Sequence, residues 1–212
     1  MRSQIRPKRV KMSSSNNLEV EVKFLVPDLA PIRDRLLEVG AQLDKPRVHE
    51  HNIRYDNAWD GLLRKAKLLR LRQDQSVRLT YKGDPMQEVQ SEAKVREELE
   101  IEVSDFATTA AILERIGFEQ RQVYEKYRET FQLIGVEVVL DELPFGNFVE
   151  LEGEEEGIRK AADLLQLPWE ERILDNYLAM MSRLKEQHDL PFDNLTFDNF
   201  ADLDISIADL FR

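Results

Sequence analysis

The sequence predicts an α+β protein whose main element is an antiparallel β-sheet, closed or nearly closed into a barrel, with helices packed outside it. Most predicted strands alternate strictly between apolar and charged residues, and several are joined by short polar connections that suit hairpins. Helical spacing of apolar residues occurs in only a few segments. The predicted strands cover 18–26, 47–56, 67–73, 76–82, 95–103, 121–133, 135–142 and 147–152, and the predicted helices cover 29–39, 106–116, 154–166 and 173–186.

Local signals set the boundaries of these elements. Pro27 and Asp28 end the first strand, and Gly40 ends the first helix. A short helical stretch is predicted over 58–66 and a polar loop over 83–93. Asp105 is the expected N-cap of the second helix, which we expect to end at Gly117.

The bulk composition limits the possible functions. The chain has 212 residues and a net charge of −11, which argues against binding nucleic acid through its general surface. It contains no cysteine, so thiolate metal sites and cysteine nucleophiles are excluded, and a reducing cytoplasm is the expected location. No apolar run approaches the roughly 20 residues that a membrane-spanning helix needs, so no membrane partner is expected.

The two ends differ in charge from the middle of the chain. Residues 1–16 carry only basic charges and are expected to be a disordered tail, with Met12 as an alternative start. Residues 17–186 are predicted to form one domain. Residues 187–212 form an acidic tail with scattered apolar residues, which we expect to be partly ordered and packed on the domain.

The charged faces of the strands carry the functional signal, because each face is almost purely ionic and has a preferred sign. A single charged strand face normally points to solvent. Here the opposite faces are apolar and the helices need an apolar face to cover, so the charged faces point into the barrel. The residues concerned are Glu19, Glu21, Lys23, Arg70, Arg72, Arg78, Lys82, Glu98, Glu100, Lys126, Arg128, Asp141, Glu150 and Glu152.

Such an interior must be wet and must hold a ligand that carries both signs, because unpaired buried ions cost several kcal/mol each. A polyphosphate with divalent cations fits, since arginine and lysine bind phosphate oxygens and carboxylates bind Mg²⁺ or Mn²⁺. The three histidines, at positions 49, 51 and 188, are too dispersed to form a zinc site. No phosphate-binding loop of the G-x-x-x-x-G-K-[ST] type is present, so side chains must bind the phosphates.

The ordered motifs resemble those of the CYTH family, the triphosphate tunnel metalloenzymes. The family's E-x-E-x-K motif is similar to Glu19-Val-Glu21-Val-Lys23, and its basic hairpin, acidic strand, K-x-R motif and closing acidic element follow in order over about residues 18–182. The matching residues are Arg70, Arg72, Arg78 and Lys82; Glu98 and Glu100; Lys126 and Arg128; and Asp141, Glu150 and Glu152.

The resemblance implies an eight-stranded antiparallel tunnel and a role for each motif. The implied substrate-binding residues are Arg70, Arg72, Arg78, Lys82, Lys126 and Arg128. The implied ligands of Mg²⁺ or Mn²⁺ are Glu19, Glu21, Asp141, Glu150 and Glu152. The implied catalytic residues are Lys23, Glu100 and Lys82.

Some positions depart from the family pattern. Arg54 stands where relatives often have an aromatic residue, so it is either an added tunnel cation or a surface residue, and we favour the surface. Arg183 and Lys185 are both candidates for a basic residue on the last helix that covers the tunnel.

The resemblance leaves the reaction open. Hydrolysis of an inorganic or organic triphosphate (tripolyphosphate, thiamine triphosphate or ATP) is favoured, because it needs no separate ribose site. Class IV adenylyl cyclase activity, converting ATP to cyclic AMP and pyrophosphate, is the alternative, and a non-catalytic polyphosphate-binding module is a third. A lipocalin-like carrier is disfavoured because the predicted interior is ionic. The sequence is also compatible with a homodimer.

Overall fold

A computed structural model of the chain describes residues 18–85 and 91–211. The predicted basic tail, residues 1–16, lies outside the described residues. The strands are β1 Leu18–Val26, β2 Gln42–Asp56, β3 Leu68–Gln73, β4 Val77–Pro85, β5 Lys94–Val103, β6 Glu119–Leu133, β7 Val136–Leu143 and β8 Gly146–Glu152.

The eight strands form one closed antiparallel barrel, which confirms the predicted fold class. Around the barrel they follow the order β1–β5–β4–β3–β2–β6–β7–β8, and β8 pairs with β1 to close the ring. Strand β2 has 15 residues and contains register shifts, which let it follow the curved wall along the whole of β6.

Within residues 18–85 and 91–211, five α-helices lie outside or across the barrel. Asp105 caps α2 as predicted, because its side chain accepts a hydrogen bond from the backbone N–H of Thr108. Asn176 caps α4 in the same way, through the N–H of Ala179. The helices are α1 Ala30–Glu38, α2 Phe106–Arg115, α3 Glu155–Leu164, α4 Tyr177–His188 and α5 Phe197–Phe200.

The apolar residues of the barrel wall pack outward against the helices. Helices α1 and α3 cover the β1, β6, β7 and β8 side, where Leu36 and Ile158 are fully buried. Helix α2 covers the β2–β3 side with Leu113. Because these faces are covered by helices, the alternate residues of each strand must face the barrel interior.

Helix α4 lies across one end of the barrel. Its apolar side packs on Phe148 and Tyr124, which lie on the inward faces of β8 and β6. The segment that follows holds α4 in place: the backbone N–H of Leu195 donates to the carbonyl of Val123 at 2.9 Å, and the N–H of Ile207 donates to that of Phe145 at 2.9 Å.

Four local predictions were wrong in extent. Helix α4 begins at Tyr177 rather than at residue 173, since Ile173 pairs with Lys23 of β1. Residues 58–66 contain only a 3₁₀ turn, Leu63–Lys65. Residues 83–85, predicted as part of a loop, belong to β4, since backbone pairing with β5 continues to Pro85. Strand β2 begins at Gln42 rather than at residue 47. No helix in the described residues is long and apolar enough to cross a membrane.

Candidate active site

The barrel encloses a cavity of about 630 Å³, which is lined from all eight strands and from the first turns of α4. Twelve of the thirteen residues that were given a substrate, metal or catalytic role from the sequence line it, and the exception, Asp141, is fully buried behind the lining. The twelve are Glu19, Glu21, Lys23, Arg70, Arg72, Arg78, Lys82, Glu100, Lys126, Arg128, Glu150 and Glu152.

Strand register places residues that are distant in the sequence beside one another. Glu21 of β1 is paired with Glu152 of β8, and the next inward position pairs Lys23 with Glu150. Because inward positions recur every second residue, one register fixes the neighbours of a whole strand.

Lys23 lies between two carboxylates. Its Nζ is 3.0 Å from Glu21 and 3.3 Å from Glu150, while Lys94 of β5 reaches Glu21 at 2.9 Å. Burial alone would lower the pKa of Lys23, but Glu150 and Glu21 more than offset it, and the pKa is raised. Lys23 is therefore a protonated donor at neutral pH.

Lys82 joins β4 to β1 and β5. Its Nζ lies 2.7 Å from Oε2 of Glu19 and 3.0 Å from Glu98. Burial raises the pKa of Glu19 to about 7 in spite of the opposing effect of Lys82. Glu19 is therefore a carboxylate that gains or loses a proton near neutral pH.

Two glutamates hold the arginines of the basic hairpin. Arg72 lies 3.3 Å from both Glu50 and Glu100, and Glu100 also lies 3.7 Å from Arg70 and from Arg78. Burial tends to raise the pKa of Glu50, but three neighbouring cations lower it to about 2. Three guanidinium groups thus converge on one side of the cavity.

Asp141 organises the opposite side. Its carboxylate accepts hydrogen bonds from Lys126 at 2.9 Å, from Arg128 at 2.6 and 2.7 Å, and from the Tyr177 hydroxyl at 2.9 Å. Burial would raise the pKa of Asp141, but Arg128 and Lys126 reverse this and hold it well below its usual value. Arg128 also approaches Glu150 at 3.6 Å.

Glu152 is a cavity acid with more acidic than basic neighbours. Burial is the largest cause that raises the pKa of Glu152 from 4.5 to about 8. The carboxylates of Glu19, Glu150 and Glu137 act in the same direction. Acids crowded in this way fit a divalent cation, because its charge would relieve their repulsion and its oxygen preference matches carboxylates.

The described residues contain no ready-made cluster of three or more acidic, histidine or cysteine side chains that could hold a metal ion. Most of the cavity acids are instead turned towards a lysine or an arginine, as Glu21 is towards Lys23 and Lys94. Binding of an ion would therefore require these carboxylates to exchange ion pairs for metal ligation.

The sequence analysis did not identify several residues that line the cavity, and it placed one of them wrongly at the surface. Arg54 was expected at the surface, but it is only 8% exposed and lines the cavity, because it shares the inward face of β2 with Glu50. The alternation of β2 could have revealed Glu50, but a register shift follows Arg54, whose face is clear only from the pairing of β2 with β6. Lys94 also lines the cavity, and it was missed because the strand was predicted to begin one residue later, at residue 95.

The two candidates on the last helix were also misjudged. Arg183 pairs with Asp175 and Lys185 with Asp193, each at 2.6 Å, and neither is among the described residues that line the cavity. Tyr177 is the α4 residue that reaches the buried carboxylates.

A closed antiparallel barrel with an ionised interior defines a tunnel protein, in which the ligand is held inside the sheet. The sequence model of the CYTH domain matches residues 17–175, and the chain belongs to the CYTH family. It is therefore an enzyme of the CYTH type, a family of triphosphate tunnel metalloenzymes for which a divalent metal is implied.

A curated relative and solved structures are also similar to the chain. The "Putative adenylate cyclase MJ0240" of Methanocaldococcus jannaschii is 29% identical over 138 residues, which cover 64% of this chain and 76% of the relative. A "putative adenylate cyclase" from Vibrio parahaemolyticus has a similar structure, with a TM-score of 0.70 at 21% identity over 78% of this chain and 98% of the other.

A Hippeastrum protein is similar as well. It is described as a "putative adenylyl cyclase", HpAC1, with a dominant triphosphatase activity. The TM-score is 0.57 at 17% identity, over 78% of this chain and 95% of that protein. At this identity the likeness concerns the fold alone.

Proposed function

We propose that this protein is a metal-dependent triphosphatase that hydrolyses its substrate inside the barrel. The observation that supports the proposal is the cavity of about 630 Å³, whose walls carry converging cations and crowded acids. A triphosphate with a divalent ion is complementary to both groups.

The substrate would bind through six of the cations that line the cavity. Arg72 and Arg128 have the planar forks that match phosphate oxygens, and carboxylates already hold both at fixed positions. Pre-positioned cations stabilise charge that develops in the transition state without reorganising. The full set is Arg70, Arg72, Arg78, Lys82, Lys126 and Arg128.

Glu19, Glu21, Glu150 and Glu152 would hold Mg²⁺ or Mn²⁺, and the ion would supply charge neutralisation at the phosphates. Asp141 was grouped with these acids from the sequence, but its oxygens already accept four hydrogen bonds from three side chains. We assign Asp141 to positioning Lys126 and Arg128.

Hydrolysis would need a water molecule activated beside the terminal phosphate. Glu100 is placed to accept a proton from that water, because its side chain is 29% exposed and lies beside the arginines that would hold the phosphates. The water oxygen would bond to phosphorus as the bond to the bridging oxygen breaks. Lys23 and Lys82 would donate hydrogen bonds to the departing phosphate oxygens.

Cyclisation of ATP is the second candidate, and the names of the relatives favour it. There the ribose 3′-hydroxyl would replace water, and pyrophosphate would leave. The same cavity would serve, so the products must decide between the two reactions.

One assay panel tests both candidates. Purified protein is incubated with tripolyphosphate, thiamine triphosphate or ATP and with Mg²⁺ or Mn²⁺, while orthophosphate, pyrophosphate and cyclic AMP are measured. Orthophosphate release that is abolished by EDTA is the expected result. Cyclic AMP with pyrophosphate as the main products would overturn the hydrolase proposal, and binding without turnover would overturn enzymatic activity altogether.

A further inference from the structure

Two inward residues of β2 have no role in the proposed reaction. Arg54 is 8% exposed and lines the cavity, and Asn52 is fully buried on the same strand face. Both Nδ2 and Oδ1 of Asn52 are without a hydrogen-bond partner. Buried amides are normally bonded, so an unpartnered one beside a cavity points to a ligand.

Arg54 is also poorly neutralised. Within the described residues its side chain makes one polar contact, at 3.5 Å, with Asp56. Asp56 is occupied elsewhere, because its carboxylate accepts hydrogen bonds at 2.8–3.0 Å from the backbone N–H groups of Asn57, Leu62 and Leu63. The guanidinium of Arg54 therefore retains most of its capacity to bind an anion.

The position of Arg54 repeats an arrangement found elsewhere in the barrel. Arg72 of β3 is directly paired in register with Arg78 of β4, and both belong to the proposed phosphate site. Arg70 of β3 is paired in the same way with Arg54 of β2. Like charges directly opposite each other repel, so each arginine pair is favoured when an anion lies between its members.

Several hydrogen-bond donors on the β2 and β3 wall of the barrel have no acceptor among the described residues. The Nε atoms of Arg70 and Arg72 are buried without partners, as is the amide of Asn52, which is paired in register with Arg72. These donors suit phosphate oxygens, which only accept hydrogen bonds. The cavity is within the size range of sites that enclose drug-sized ligands, so it has room for more than three phosphates.

We propose that Arg54, with Arg70 and Asn52, forms an additional phosphate clamp that extends the phosphate path by one group. The preferred ligand is then a linear polyphosphate chain of four or more phosphates. This inference rests on the proposed function in that the triphosphate occupies the six cations named above. It adds a length preference that those cations do not supply.

Equilibrium binding tests the clamp independently of turnover. Calorimetric titration of the full chain with tripolyphosphate and with tetrapolyphosphate, in EDTA, measures the length preference. Wild type should bind tetrapolyphosphate about tenfold more tightly, the order expected for one charge-assisted contact. Arg54→Gln should remove this preference and leave tripolyphosphate affinity within about twofold, whereas the exposed Arg115→Gln should change neither.

Asn52→Leu is the second variant. It should reduce the length preference by about threefold without lowering the melting temperature, because an unbonded buried amide is replaced by an apolar group of similar shape. Loss of affinity together with loss of folding would contradict a direct contact.

Three results would overturn the clamp. They are equal affinity of wild type for the two chain lengths, an unchanged preference in Arg54→Gln, and equal losses for both ligands in that variant. If Arg54→Gln instead lost only ATP binding, Arg54 would contact the nucleoside part of ATP. That result would overturn the proposed preference for a polyphosphate chain. Failure to hydrolyse any triphosphate would contradict the proposed function. The binding measurements would still test the clamp, because they do not depend on turnover.

Discussion

The hydroxyl of Tyr177 lies 2.9 Å from Oδ2 of Asp141, the same oxygen that accepts hydrogen bonds from Lys126 and Arg128. Tyr177 belongs to α4, and Asp141 belongs to β7. The helix across the barrel end is thus connected to two cavity cations through one buried carboxylate. Closure of the barrel end and placement of the cations are therefore coupled.

Replacement of Tyr177 by Phe should weaken both features. A hydrogen bond to a charged acceptor contributes roughly 1.5–3 kcal/mol, so the free energy of unfolding should fall by about that amount in urea titrations. The KM for the triphosphate should rise, because Asp141 loses a donor that fixes its orientation.

Tyr81→Phe is the matched control, because the Tyr81 hydroxyl makes no hydrogen bond to any described residue. It should leave stability and KM unchanged. If Tyr177→Phe were as stable as wild type with the same KM, the coupling between α4 and the cations would be absent.

Replacement of Arg72 by Ala should lower kcat/KM by about 10²–10³, the range found when one preorganised oxyanion donor is removed. Arg72 touches both Glu50 and Glu100, so its loss also frees two acids that repel phosphate. Steady-state kinetics with each triphosphate would measure the effect. Arg72→Lys should recover part of the activity, since it restores the charge but not the planar fork.

The exposed Arg115→Ala controls for a general change in net charge. It removes the same charge from the end of α2 and should leave the kinetics unchanged. Wild-type turnover by Arg72→Ala with every triphosphate would contradict the proposed substrate site.

Much of the barrel could be predicted because alternation is a local property. The inward positions of β1 follow directly from the sequence, and so do Arg70 and Arg72 of β3. Side chains of a strand alternate between its two faces, so each inward position follows once the face covered by helices is known. The helix caps are equally local, as Asp105 shows.

The partners of these residues could not be predicted, because they depend on register between distant strands. Lys82 of β4 reaches Glu19 of β1 across β5, and the sequence does not show that β5 lies beside both of these strands. Arg54 was misassigned for a related reason. A register shift follows it in β2, and the inward face there becomes clear only when the pairing with β6 is known.

The acids of the proposed metal site should make stability depend on pH in the metal-free protein. The pKa of Glu152 is raised to about 8 and that of Glu19 to about 7, so between pH 4.5 and 8 the folded state binds more protons than the unfolded state. Stability contributed by these groups is thus greatest near pH 4.5 and falls as pH rises through 7–8. Glu50, with its pKa lowered to about 2, acts in the opposite direction and only below pH 4.5.

Mg²⁺ should reverse this trend, since it binds the ionised carboxylates and competes with protons. Melting temperatures recorded from pH 5.5 to 8.5 should fall without metal, and the increase on adding Mg²⁺ should grow with pH. Glu152→Gln should flatten the metal-free profile and reduce the increase. An increase that does not depend on pH would argue against these acids as the metal ligands.

The segment after α4 should stabilise the barrel through Leu195, which is fully buried and pairs with β6. Its backbone donates to Val123 and accepts from the N–H of Glu125, each at 2.9 Å. Leu195→Ala removes buried methyl groups where the surrounding wall cannot easily collapse, so unfolding free energy should fall by about 2–5 kcal/mol. Leu203→Ala, at a residue that is 38% exposed, should cost well under half as much in the same urea titration. A cost for Leu195→Ala no larger than that for Leu203→Ala would contradict this role of Leu195.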